Sequence, residues 1–201
     1  MSDAPAWRAE VEAYRRDLEV RATLRGREFA FTTAWGLFSP REVDLGTLEL
    51  IEELRVAETD DCFDLGCGYG PVALTLAHLA PKGETWAVDR DFLAVEYTRW
   101  NAEANGLRNV TALLSNGFSA VPADRRFDVV ATNLPAKVGN ELTTLLFADA
   151  YLHLRPGGRL YVVTLSGMRK FIQRTLTDLF GNYEKVHQGR QHTVHLAVRE
   201  G

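Results

Sequence analysis

In the stretch "DLGCGYGPVAL", Asp64 to Leu74, an acidic residue is followed by glycines at alternate positions and then at once by an apolar run. A turn so bare suits a ligand that must approach the backbone closely, and three explanations compete: a pyrophosphate, a sulfonium-bearing nucleoside and a plain tight turn. A dinucleotide pyrophosphate calls for glycines at i, i+2 and i+5. Here Gly66, Gly68 and Gly70 fall at i, i+2 and i+4, and Pro71 holds position i+5. No Gly-Lys-Ser/Thr follows, so a nucleoside triphosphate cradle is absent too. Proline at this point fits the first position of a helix, where its missing N–H costs nothing.

Other polar residues stand where the same ligand would meet them. Asp89 closes the next β-rich run, where a carboxylate beside the glycine turn can accept both hydroxyls of a ribose. Asn116 follows the third run and can bond an adenine edge, and Asn133 ends the fourth. Taken singly, such residues are helix caps or turn formers. Four strand ends in succession, Asp64, Asp89, Asn116 and Asn133, instead mark the crevice where open α/β sheets bind ligands.

The elements that position them alternate. "CFDLG", "TWAVD", "VTALLS", "FDVVATN" and "RLYVVTL" read as strands, with helical segments such as "PVALTLAHLA" and "ELTTLLFADAYLHL" between them, which predicts a parallel sheet with helices on both faces. The tail departs from that pattern. "YEKVHQ" and "HTVHLAVR" are separated by too few residues for a parallel return and must pair as an antiparallel hairpin. Before the sheet, Trp7, Val11, Tyr14 and Leu18 recur at helical spacing, predicting an amphipathic helix to near Gly26 and hence a helical extension over 1–28 ahead of a domain over 29–201. "FAFTTAWGLFSPREVDLG" reads as a loop or short hairpin over a pocket. A helix after "VDLGT" would carry Leu48, Ile51 and Leu54 on one face.

Composition narrows the class. The 201 residues are 46% hydrophobic and 25% charged, with a net charge of -4, which fits one folded domain and excludes a protein that coats nucleic acid by charge alone. Residues 1–30 hold six basic and six acidic groups, 31–165 eleven and eighteen, and 166–201 six and three. Nucleic-acid contact would therefore be local, at the C-terminal segment or the N-terminal arginines. No apolar run reaches bilayer length and the N-terminus lacks a signal-peptide core, so a cytoplasmic protein with no membrane partner is expected. Cys62 and Cys67 have no second pair, and His78, His153 and His187 have no acid or cysteine at ligand spacing, so no metal is expected. Arg190 and His192 are read as surface residues near the last hairpin. His192 and His195 would face opposite sides of their strand.

Six segments together resemble the class I S-adenosylmethionine-dependent methyltransferases, in particular the small-domain group that includes bacterial small-subunit rRNA guanine-N2 methyltransferases and single-domain archaeal relatives. These are "LFSPREVDLGT", "DLGCGYGPVAL", "VDRD", "SNGFS", "NLPAKVGNE" and "LRPGGRLYVV", over about residues 29–199. The resemblance implies a Rossmann-like seven-stranded sheet. It implies that Asp64 and the backbone of Gly66, Cys67, Gly68 and Gly70 flank the methionine part of S-adenosylmethionine, that Asp89 binds ribose with Arg90 by the adenine, and that Asn116, Gly117 and Phe118 hold the adenine edge. A sulfonium donor has no phosphates, so the turn need not offer it a row of N–H groups.

In such enzymes the Asn of an Asn-Pro-Pro-aromatic motif and a following carbonyl accept the hydrogens of an exocyclic amine, and the aromatic stacks on a flipped base. Asn133 and Pro135 are the counterparts here and are expected to position the nucleophile. Leu134 and Ala136 replace the first proline and the aromatic. Phe38, Trp35 or Tyr69 is then the candidate for stacking, with Lys137, Asn140 and Glu141 at the mouth; Asn140 is equally a helix cap. The expected activity is methylation of an exocyclic amine of a nucleic-acid base, foremost guanine N2 in ribosomal RNA. The alternatives are a small-molecule or protein methyltransferase of the same fold and a non-catalytic cofactor-binding module.

Overall fold

A computed structural model of the chain describes residues 7–134 and 138–201. Helix α1 spans Trp7–Tyr14 and buries no side chain. It ends well before Gly26, because from Leu18 the apolar period is two: Val20 and Leu24 are buried on β1 (Leu18–Leu24), and Phe29 and Phe31 on β2 (Arg27–Thr33). The two strands pair antiparallel around Arg25 and Gly26, whose φ angles of 49° and 81° are the two positive values of a tight hairpin turn. Residues 18–28 are thus strand and turn, and the hairpin belongs to the main core.

Helix α2 (Leu45–Glu53) follows, capped by Asp44, whose side chain accepts the Thr47 N–H. The alternating series is then β3 (Cys62–Leu65), α3 (Pro71–Leu79), β4 (Thr85–Asp89), α4 (Phe92–Ala104), β5 (Val110–Leu114), β6 (Phe127–Asn133), α5 (Asn140–His153), β7 (Leu154–Leu165) and, after one 3₁₀ turn, α6 (Arg169–Phe180). Strands β8 (Glu184–Gln188) and β9 (His192–Val198) close the chain. The seven strands run in the order β5-β4-β3-β6-β7-β9-β8. Pairs from β5 through β7 are parallel, and β9 lies antiparallel to both β7 and β8, as the short connection requires. The chain leaves β3 toward β4 and β5 and returns on the other side at β6, so a crevice opens between the ends of β3 and β6.

Alternate strand residues feed two cores. Cys62, Ala131, Tyr161 and Val163 pack with α2, α3, α4 and the hairpin, while Phe63, Val130, Leu160 and Val162 pack with α5 and α6. The hairpin is fastened to α4 by two amides. Asn101 bonds both the N–H and the carbonyl of Thr32, and Asn105 does the same to Ala30.

The last strand corrects one expectation: His192 is buried, its ring against Gly46 of α2, and only Arg190 is exposed. His195 is buried from the other face, between the Thr164 hydroxyl at 3.0 Å and the Tyr183 hydroxyl at 3.1 Å, and burial lowers its pKa to about 4. His153 stacks on Phe118. Both cysteines are free and buried, and the described residues contain no cluster of metal-ligating side chains.

Candidate active site

A cavity of about 340 Å³ fills the crevice, walled by the ends of β3, β4, β5 and β6. Of the residues picked from the sequence, Gly66, Cys67, Gly68, Tyr69, Asp89, Arg90, Asn116, Gly117, Asn133 and Phe38 lie on its wall. Asp44 and Thr47 at the start of α2, Val138 just before α5 and Leu146 within it help complete the wall.

Four N–H groups of the glycine turn are already taken. Gly66 and Cys67 both donate to the Val88 carbonyl at 2.8 and 2.9 Å, Gly68 donates to Asp89 Oδ2 at 3.0 Å, and Gly70 to the Cys67 carbonyl at 2.9 Å. Phosphate oxygens would find no row of donors there. A Cβ on Gly66 or Gly68 would meet nothing within 4 Å, so what the missing side chains leave is open space for an apolar or thioether-like part of a ligand. Gly70 serves differently, since at φ 105° its Cβ would press on Leu74 at 2.9 Å. Charge agrees: among the described residues the wall holds the carboxylates of Asp44, Asp89 and Asp91 against the guanidinium of Arg90, which favours a cation over a phosphate.

Asp89 is tied at both oxygens. Oδ2 accepts from Gly68 and Oδ1 accepts from the Asp91 N–H at 3.0 Å, which fixes the carboxylate at the rim with further lone pairs toward the cavity. The loop after β5 is shaped by Ser115, whose hydroxyl donates to the Gly117 carbonyl at 2.7 Å. Glycine suits position 117 because its φ is 60°, a conformation side-chain-bearing residues rarely adopt.

Several expectations change. Asp64 is behind the wall, not on it: only 1% exposed, it accepts the Ala73 N–H at 2.9 Å through Oδ2 and so caps α3, whose own cap residue Gly70 has no side chain to do this. Its Oδ1 has no partner among the described residues. Phe118 turns into the core, stacked on Phe63 at 4.4 Å between centroids, because Gly117 with φ 60° reverses the chain. Glu141 is exposed in the first turn of α5, where it complements the helix dipole, and lies off the wall. Gly139, not Asn140, is the cap of α5. Pro135 and Lys137, with Ala136, lie outside the described residues. Among the aromatics, Tyr69 is buried with its hydroxyl donating to the Glu42 carbonyl at 3.0 Å, and Trp35 is covered by Arg41 at 4.6 Å. Phe38 is on the wall and 64% exposed.

Burial pushes the Asp64 carboxyl up to about 8, with the Asp89 charge adding to it and the Ala73 N–H opposing it. Between the ordinary carboxylate value and that one, the folded protein keeps a proton the unfolded chain has released. Stability from this group is therefore highest in acid and falls as pH rises through the window. Thermal melts of the ligand-free protein from pH 5 to 9 should show this fall relative to Asp64→Asn, which has no proton to lose. Parallel profiles would exclude a protonated Asp64.

Asn133 is the residue most constrained. Its Nδ2 donates to Asp44 Oδ2 at 3.0 Å and to Thr47 Oγ1 at 2.9 Å. Sequence reading placed Asn133 at the site and counted "LFSPREVDLGT" among the family-like segments, but gave Asp44 and Thr47 no role.

The chain matches the methyltransferase small domain over residues 28–195. It is 36% identical over 141 residues to the uncharacterized protein YbxB of Bacillus subtilis, covering 70% of each chain. It is 33% identical to a ribosomal RNA large subunit methyltransferase G of Streptomyces avermitilis, over 82% of this chain and 44% of that one. A T. thermophilus 16S rRNA N2 methyltransferase, solved with AdoMet and guanosine, superposes with a TM-score of 0.81 at 29% identity, covering 92% of this chain and 50% of its own. The chain thus spans about half the length of these two rRNA methyltransferases.

Proposed function

The chain belongs to the methyltransferase small-domain family, and from that premise we propose that it transfers a methyl group from S-adenosylmethionine to an exocyclic amine of a nucleic-acid base, guanine N2 of ribosomal RNA. The donor supplies a methyl group on a sulfonium, which departs as a neutral thioether. Asp89 would hold the ribose, Asn116 the adenine edge, Arg90 the adenine plane, and the open surface of Gly66 and Gly68 the methionine part.

The observation that carries the amine reading is the orientation of Asn133. With Nδ2 committed to Asp44 and Thr47, the atom left for a substrate is Oδ1, an acceptor. An exocyclic amine is a poor nucleophile because its lone pair is delocalised into the ring. An acceptor that draws on its hydrogens favours the tetrahedral nitrogen that attacks, and holding it in line supplies much of the acceleration. Phe38 supports a planar substrate. As the exposed ring on the cavity wall, it takes the stacking role that Ala136 cannot.

The test is transfer of label from tritiated S-adenosylmethionine to rRNA from cells lacking the gene, followed by nucleoside mass spectrometry. A gain of N2-methylguanosine is expected. Phe38→Ala should raise KM for RNA by roughly tenfold or more, since stacking one base contributes about 1–3 kcal/mol. Label appearing in protein and not in RNA would overturn the substrate; no thermal shift with saturating S-adenosylmethionine would overturn the assignment as a whole.

A further inference from the structure

We infer that Asp44 is a positioning residue that sets which end of the Asn133 amide faces the cavity, and so selects a nucleophile that donates hydrogens; the catalytic part of this inference rests on the methyl-transfer reading above. An asparagine side chain presents a donor at one end and an acceptor at the other, and turning it over exchanges them at little steric cost. Something must decide between the two. A carboxylate oxygen has no hydrogen to give, so Asp44 Oδ2, 3.0 Å from Asn133 Nδ2, admits only the nitrogen. Thr47 Oγ1 takes the second hydrogen at 2.9 Å, so the amine end is fully used and Oδ1 has no protein partner among the described residues. Asn133 itself lies on the cavity wall.

The carboxylate is itself held. Asp44 Oδ2 also accepts the Thr47 N–H at 3.2 Å as the cap of α2. Gly46 leaves room for it, since a Cβ there would stand 3.0 Å from Asp44 Oδ2 and 3.1 Å from the His192 ring. One aspartate therefore starts a helix and orients a side chain on the opposite wall.

Variants at position 44 separate those roles. Serine caps a helix as well as aspartate does, but its hydroxyl is one atom shorter and can donate as well as accept, so it no longer admits only the Asn133 nitrogen. Expected for Asp44→Ser are an unchanged melting temperature, unchanged S-adenosylmethionine affinity and a kcat for RNA reduced by roughly tenfold or more, in keeping with the loss of one oriented polar contact in the transition state. Asp44 Oδ2 makes both the Thr47 and the Asn133 contact, so in Asp44→Asn the amide oxygen that caps the helix is also the one that faces Asn133 Nδ2. That conservative variant should recover most of the kcat that Asp44→Ser loses, and a purely structural cap gives no such difference.

A reading independent of activity comes from the Asn133 side-chain NH2 signals in 15N NMR of the intact chain. They should be protected from exchange with water in the wild type and lose that protection in Asp44→Ser. Rapid exchange in the wild type would refute the orientation whatever the enzyme methylates. Protected signals together with an unaltered kcat in Asp44→Ser would refute its catalytic use. If the wild type methylates no RNA, the substrate reading fails, while the NMR result still decides the orientation.

Discussion

Asp89→Ala is expected to weaken S-adenosylmethionine binding by about a hundredfold or more, because two charge-assisted hydrogen bonds to ribose at about 1.5–3 kcal/mol each are lost together. Titration calorimetry reads this directly. The local geometry makes even a mild change severe. Both oxygens of Asp89 already accept backbone N–H groups, from Gly68 and from Asp91. Asparagine would set an NH2 against one of those donors, so Asp89→Asn should behave closer to alanine than its shape suggests. Affinity within threefold of wild type for Asp89→Ala would exclude it from the cofactor site.

Asn133→Ala should leave that affinity within a few-fold and lower kcat by roughly 10²–10³, the scale seen when one preorganised polar group is removed from a reacting centre. The wall opposite would survive, since Asp44 keeps the Thr47 N–H as a partner. Single-turnover measurements with saturating cofactor and RNA separate this loss from slow product release. A kcat unchanged in Asn133→Ala would remove the amine-positioning step from the mechanism.

The sheet was legible because each strand was a short apolar run ending in a polar residue, and Pro71 and the glycines marked where helices begin and stop. The hairpin was not. Trp7, Val11, Tyr14 and Leu18 keep helical spacing across the true end at Tyr14, while the better signal lay further on, in the alternation of Val20, Ala22 and Leu24 before Arg25-Gly26. Asp89, Asn116 and Asn133 could be placed on the cavity wall from the sequence because strand ends converge in any open α/β sheet. Phe118 was misjudged because one positive φ at Gly117 decides to which side the next ring turns. Asp44 was given no role for another reason. Its partner Asn133 is 89 residues away, and nothing local in "VDLGT" points to it.

The amides of Asn101 and Asn105 do more than fasten the hairpin to α4. Ala30 and Thr32 direct their N–H and carbonyl groups away from β1, and each pair is met by one side-chain donor and one acceptor. A helix thereby stands in for a third strand. An unpaired strand edge is a template for association with another chain. Here that edge is consumed within the molecule, and β1 carries the exposed charges of Glu19 and Arg21 along its own length. At Ala30 and Thr32 the outer edge of β2 is therefore closed to a second copy of the protein.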